Sequence, residues 1–290
     1  MKNIKPFQAL HFNQKKVNLS NVICPPYDVI DTNLSKKLAK KSPYNSIFLS
    51  FNVKEKQGRT KYKHISRLIS KWKSKSILVM DSKPMFYYLE EKFRWKGKIK
   101  SRKGIFALVP VLNNKNIIPH EKVFPEAVLD RLNLLQSSKT HVSPIFLVYE
   151  DLDKKFTRWL DQKTTKDLEP IKYASDQIHY RFGAIQDTHS IHALQKIFKG
   201  KDLLIADGHH RFATAQKFSK KIGKDIHLLA FISPSKNLVF SYHKVLSTIL
   251  DSNKVTTRKI LKTCKKGQLL PQKSTYFYPK VMTGFVMSVI

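Results

Sequence analysis

The sequence predicts a mixed α/β protein, an irregular α+β arrangement rather than a regular doubly wound sheet, on three observations. Residues 60–74 carry Tyr62, Ile65, Leu68, Ile69 and Trp72 at three- and four-residue spacing, the mark of an amphipathic helix. Between 76 and 112 the pattern turns to β. Ile77-Leu-Val-Met80, Met85-Phe-Tyr-Tyr-Leu89 and Gly104-Ile-Phe-Ala-Leu-Val-Pro-Val111 are separated by turn residues at 81–84 and at Lys96-Gly97. From 178 onward, short apolar runs and helical stretches alternate without a fixed period.

Taken in order, the opening reads as a short strand or extended arm. In Val22-Ile-Cys-Pro-Pro-Tyr-Asp-Val-Ile30 the adjacent Pro25 and Pro26 forbid both helix interior and central strand, so a rigid extended loop is expected. Asp31, Thr32 and Asn33 offer N-caps for a helix over 34–41, which must stop before Pro43. The apolar run over 45–53 reads as a buried strand. Beyond the β-rich stretch come a helix over 129–138, a buried strand over 144–149 and an exposed helix over 154–168. A strand over 178–185, a helix over 190–198, a buried strand over 203–206 and a helix over 211–221 follow. Strands over 228–232, 238–242, 275–278 and 285–289 complete the pattern. There is no internal repeat. Two regions are expected, an N-terminal α/β region over 1–115 that holds the Pro-Pro-Tyr-Asp loop, and a second over 116–290.

A chain of 290 residues can bury a sizeable core, and 41% hydrophobic with 11% aromatic residues excludes a disordered chain. Basic residues number 54 against 21 acidic, a formal charge of +33. Only nine of the 54 are Arg, and Lys is spread through every part of the chain. Two readings stand: a general Lys bias that makes a solvated face, or a functional polyanion surface. Cys24 and Cys264 cannot build a disulfide scaffold or a four-ligand zinc site, which suits a reducing cytoplasm. The opening residues lack the apolar stretch of a secretion signal, and no run approaches the roughly 18 apolar residues of a membrane span. A cytoplasmic location without a membrane partner is the expectation.

The densest chemistry lies in Leu203-Leu-Ile-Ala-Asp-Gly-His-His-Arg-Phe-Ala-Thr-Ala215, where a buried strand runs through a Gly turn directly into a helix. Gly208 permits a tight turn and close ligand approach, and the first helical amides point outward with the dipole favouring negative charge. His209, His210 and Arg211 add donors, with Arg211 expected to be exposed. Asp207 could hold Mg²⁺ or orient a histidine. No third Cys or His stands at zinc spacing, and no Walker P-loop is present. A second cluster, Pro119-His-Glu-Lys-Val-Phe-Pro-Glu-Ala-Val-Leu-Asp-Arg-Leu132, packs His120, Glu121, Asp130 and Arg131 together, with Glu121 beside His120 as a general-base pair.

These segments, in this order, resemble a known bacterial and archaeal family. Asn3-Ile-Lys-Pro-Phe-Gln-Ala-Leu10, Cys24-Pro-Pro-Tyr-Asp-Val-Ile30, Pro119-His-Glu, Asp130-Arg-Leu132, Ser143-Pro-Ile-Phe146, Ile205-Ala-Asp-Gly-His-His-Arg211 and Lys273-Ser-Thr-Tyr-Phe-Tyr-Pro-Lys280 are similar to the successive signatures of the domain of unknown function 1015. That family in turn resembles the ParB and sulfiredoxin superfamily, which includes free-serine kinases and places nucleotide phosphates at the equivalent helix N-terminus. The resemblance implies a ParB/sulfiredoxin-like nucleotide-binding core in 116–290 and a nucleotide-dependent phosphotransferase using ATP or ADP with Mg²⁺. It implies that Asp207, Gly208, His209, His210 and Arg211 bind phosphates and Mg²⁺, while Glu121 accepts the proton of a small-molecule hydroxyl. It also implies roles for Asp28 and for Lys273, Ser274 and Thr275. The sequence departs from the pattern in two places: Tyr242-His243-Lys244 stands where a His-Arg pair is expected, and Phe212 replaces a Tyr. It is also shorter than other members, with the loss over 247–267. The alternatives are a ParB-like nucleotide-binding protein that associates with nucleic acid, and an inactive shortened member.

Overall fold

The structure is a computed structural model that describes residues 4–25, 27, 30–50, 58–95, 97–112, 115–166, 171–175, 178–235, 239–242, 260, 275–278 and 288–289. The first strand, β1 (Leu10–Phe12), is followed by a short helix α1 (Leu19–Val22). Helix α2 (Thr32–Lys41) starts where the Asp31 carboxylate accepts the Leu34 N–H at 2.7 Å, and it ends before Pro43. The strand expected over 45–53 is instead a helix, α3 (Ile47–Ser50), in its described part. The Asn45 side chain accepts the Ile47 N–H at 2.9 Å and the Asn45 carbonyl accepts the Phe48 N–H, so local bonds curl the apolar run into a turn. Helix α4 (Gly58–Ser74) buries Ile65, Ile69 and Trp72 as its spacing predicts.

The remaining elements are β2 (Leu78–Met80), β3 (Phe86–Trp95), β4 (Lys98–Pro110), β5 (Ile117–Ile118), α5 (Pro125–Ser138), β6 (Thr140–His141) and β7 (Ile145–Tyr149). After them come α6 (Lys155–Lys166), β8 (Ile171–Ser175), β9 (Ile178–Ile185), α7 (Thr188–Phe198), β10 (Leu203–Asp207), α8 (His209–Ile222), β11 (His227–Pro234), β12 (Val239–Tyr242), β13 (Thr275–Tyr278) and β14 (Ser288–Val289). Helix α5 begins four residues earlier than expected, with Pro125 in its first turn, where a missing N–H costs nothing.

Eight strands form one mixed sheet in the order β5-β10-β7-β11-β4-β3-β9-β8. Strands from both sides of residue 115 share it. Its two faces are covered separately. On one, Phe106, Phe146 and Phe231 belong to the same apolar cluster as Ile65, Ile69 and Trp72 of α4. On the other, Phe156 of α6, Phe198 of α7 and Phe212 and Phe218 of α8 cover Ile145, Leu147 and Ile205. Every residue of β7 is buried, as a strand between two covered faces requires. Most neighbours are antiparallel, but β10 runs parallel to β5, with Leu203 opposite Ile117 and Leu204 opposite Ile118. The carboxyl ends of those two strands therefore open at the same end of the sheet. Among the described residues, no helix is long and apolar enough to cross a membrane.

Candidate functional site

The parallel β5–β10 pair brings together two segments nearly ninety positions apart, because each continues past its strand end into one of the polar clusters. Clefts outside the carboxyl ends of parallel strands are where α/β sheets place ligands. From β10 the chain turns at Gly208, which adopts φ +96°, and enters α8 with no side-chain cap. A Cβ at Gly208 would lie 2.7 Å from Ile145 Cγ2 as well as in the left-handed region, so only glycine fits. The helix start thus has no side-chain cap for its first amides, the groups that a helix N-terminus offers to an anion.

Glu121 is the carboxylate at that end of the sheet. Its Oε1 lies 3.4 Å from His120 Nε2 and its Oε2 lies 4.0 Å from His209 Nδ1. The two imidazoles meet edge to face at 4.6 Å, and both are buried. The His120 backbone N–H donates to His209 Nε2 at 3.3 Å. Burial above all, with the neighbouring His120 ring, pulls the His209 pKa down to about 3, so at neutral pH the ring is uncharged. With Nε2 accepting, its single proton sits on Nδ1, the nitrogen that faces Glu121.

His210 takes a different partner. Its Nε2 accepts the Phe124 backbone N–H at 3.0 Å, and its ring lies parallel to Phe124 at 6.0 Å with a 7° tilt. Phe124, 51% exposed, thus makes a flat aromatic surface beside the start of α8. Sequence reasoning gave Phe124 no role, although it stands three positions after Glu121.

Arg211 is not exposed as expected; its side chain is only 10% accessible. It donates to Ser143 Oγ at 3.1 Å, to the Pro144 carbonyl, and to Asp207 Oδ2 one helical turn back. The guanidinium is drawn inward because Ser143 and Pro144, just before β7, supply acceptors that no local pattern reveals. Asp207 is correspondingly engaged, as the partner of Arg211 at the strand end.

Asp130 and Arg131 lie on α5, away from Glu121. Asp130 Oδ1 accepts from Lys61 Nζ at 2.9 Å and Tyr62 Oη at 2.7 Å, and its Oδ2 accepts from Arg131 Nε at 2.8 Å. Burial alone would raise the Asp130 pKa, but Arg131, Lys61 and Tyr62 outweigh it and hold it at about 2. Arg131 also donates to the Ser50 carbonyl at 3.3 Å and covers the Tyr27 ring at 4.3 Å. The pair fastens α4, α3 and Tyr27 to α5. A cavity of about 40 Å³, bordered by Arg131, His141, Ser143, Arg211 and Thr214, separates this seam from the Gly208 turn. Asp28, His243, Lys273 and Ser274 lie outside the described residues, as does the shortening over 247–267 apart from residue 260. Thr275 opens β13, which pairs with β12 and lies against β10.

Fold and cleft together define a mixed α/β protein whose parallel strand ends converge on one polar site. The profile of the family described as Protein of unknown function (DUF1015) matches residues 4–288, and the chain belongs to that family. No curated protein matches the sequence. Among solved structures, SbnI with a C-terminal truncation from Staphylococcus aureus is similar at 11% identity, covering 62% of this chain and 86% of that one with a TM-score of 0.31. A free serine kinase in complex with AMP is similar at 8% identity, covering 59% of this chain and 86% of that one with a TM-score of 0.22. A mutant free serine kinase in complex with ADP is similar at 7% identity, covering 59% and 87%, again with a TM-score of 0.22.

Proposed function

We propose that the protein binds a nucleoside di- or triphosphate at the N-terminus of α8 and transfers a phosphoryl group to a small-molecule hydroxyl. The observation that carries this reading is the Glu121 carboxylate, held between His120 and His209 beside an uncapped 14-residue helix entered through Gly208. Phosphoryl transfer asks little more of a protein than positioned charge and a base. The helix amides take the nucleotide phosphates, and Arg211, paired with Asp207, lies in the same first turn. The exposed Phe124 face, stiffened by His210, offers the base a stacking surface worth about 1–3 kcal/mol.

Glu121 accepts the proton as the acceptor oxygen bonds to phosphorus and the nucleotide leaves with its bridging oxygen. His120 and His209 orient the carboxylate. His209 does not act as the base, because its Nε2 already accepts a backbone N–H. Asp207, at the end of β10 with its Oδ2 held by Arg211, is the carboxylate available to Mg²⁺, which usually takes one or two carboxylates plus phosphate oxygens. Asp207 would hold the ion, which when bound neutralises developing phosphate charge. Free serine is the acceptor favoured by the resemblance to the superfamily.

Isothermal titration with ATP, ADP and AMP, with and without Mg²⁺, tests the first step; absence of binding to all three defeats the reading. In Glu121→Gln, nucleotide affinity should stay within a few-fold of the parent while phosphotransfer falls about 10²- to 10⁴-fold. An unchanged phosphotransfer rate in that variant removes Glu121 from the chemistry.

A further inference from the structure

The most basic stretch of the described chain belongs to none of this. From Lys92 to Lys103, seven of twelve residues are Lys or Arg and none is acidic, whereas the whole chain carries 54 basic residues in 290. A general Lys bias does not produce that density. The stretch is also built differently from its surroundings. It is the outer half of the β3–β4 hairpin, paired Phe93 with Lys100, Arg94 with Ile99 and Trp95 with Lys98. The pairing of β9 with β3 stops at Lys92, opposite His179, and that of β11 with β4 stops at Ile105, opposite Ile232. Among the described residues no strand pairs with either edge beyond those points, and although Phe93 stays buried at 2%, the end of this two-stranded ribbon that carries Arg94, Lys98, Ile99 and Lys100 is exposed.

Strand alternation puts Lys92, Arg94 and Ile99 on one face of the ribbon and Lys98 and Lys100 on the other. All five are exposed, Ile99 at 73%. The acids at the base are already matched: Glu91 is fully buried against Arg102, and Glu90 accepts from Ser101 at 2.9 Å and Arg181 at 3.2 Å. Arg94, Lys98 and Lys100 have no ion-pair partner among the described residues.

We propose that this ribbon is a docking element for the major groove of double-stranded DNA. Two antiparallel strands with their side chains fit a groove about 12 Å wide, and the two residue pairs beyond the buried Phe93 span about 7 Å, within a groove depth near 8.5 Å. Cations on both faces match a groove walled by phosphates on both sides. A lipid surface would be met by one face. Duplex RNA is excluded by its narrow major groove.

The test is fluorescence anisotropy of the full-length protein with a labelled DNA duplex, titrated across salt from about 50 to 200 mM. One variant carries Lys92→Gln, Arg94→Gln, Lys98→Gln and Lys100→Gln. A control removes the same charge from α2, as Lys36→Gln, Lys37→Gln, Lys40→Gln and Lys41→Gln, all exposed. The ribbon variant should lose about tenfold or more in affinity, and its log K against log salt slope should flatten by about 0.9 for each phosphate that it no longer neutralises. The α2 control should change by less than about threefold. A Lys98→Gln/Lys100→Gln double variant, with half the charge change, should show an intermediate slope and guards against misfolding of the larger one. Equal losses in ribbon and control variants would overturn the proposal, as would equal affinity for duplex RNA. Binding to phosphatidylserine vesicles with none to DNA would overturn it too.

Discussion

Arg211 shows how a residue chosen for binding serves the frame of its own site. Its guanidinium ties the last residue of β10 to the segment just before β7 across the Gly208 turn, with Asp207, Ser143 and the Pro144 carbonyl as acceptors. Truncation strands a largely buried carboxylate and two polar atoms. Because Asp207 retains some solvent contact, Arg211→Ala should cost about 2–3 kcal/mol, below the range for fully buried pairs. Urea unfolding measures this, and a double-mutant cycle with Asp207→Asn should return a coupling of at least about 0.5 kcal/mol. Unchanged stability with lost nucleotide affinity would instead make Arg211 a pure ligand contact. The Asp207 to Arg211 constellation was legible because its residues are contiguous after an apolar strand. Arg211's burial was not, since it depends on a segment 67 positions away.

Legibility of the elements follows length and period. Helices α2 and α4 repeat their apolar positions over several turns and appear nearly where their spacing places them. The two-residue strands β5 and β6 are too short to carry a pattern, and the four-residue α3 cannot be told from a strand by apolar content alone. This matters for function, because β5 is what carries His120 and Glu121 to α8, and its parallel pairing with β10 is a non-local fact. The α4–α5 seam was likewise invisible, although both helices were expected. There Asp130 takes Lys61, Tyr62 and Arg131 together. Its pKa of about 2 lies below the ordinary 3.8, so its contribution is present above about pH 4 and is lost as pH falls toward 2. With the side chain 31% exposed, Asp130→Asn should cost about 1–2 kcal/mol at pH 7 and nothing further at pH 2. Denaturant midpoints at the two pH values check it; an equal deficit at both would mean that packing, not charge, is lost.

At the scale of the molecule, a chain of formal charge +33 faces self-repulsion that grows as its acids are protonated. Its response to mild acid, however, should be set by two buried histidines. His141, on β6, donates from Nε2 to the His227 carbonyl at 3.1 Å, and burial lowers its pKa to about 4 despite that bond. His209, in the cleft, is lowered to about 3. Both values lie below the ordinary 6.5, so the unfolded chain takes up protons that the folded one refuses. Stability is therefore full above about pH 6.5 and declines as pH falls toward 4, by up to about 3 kcal/mol for each ring. Carboxylates such as Asp130 do not contribute in this window, because their losses begin below about pH 4. Urea unfolding between about pH 7.5 and 5 should show the decline, and His141→Gln, which keeps a donor for the His227 carbonyl, should remove roughly half of it. Added salt separates the two causes: screening relieves surface repulsion but leaves the cost of protonating a buried ring in place. A decline that vanishes in high salt, or that His141→Gln leaves unaltered, would assign acid sensitivity to the lysine-rich surface instead.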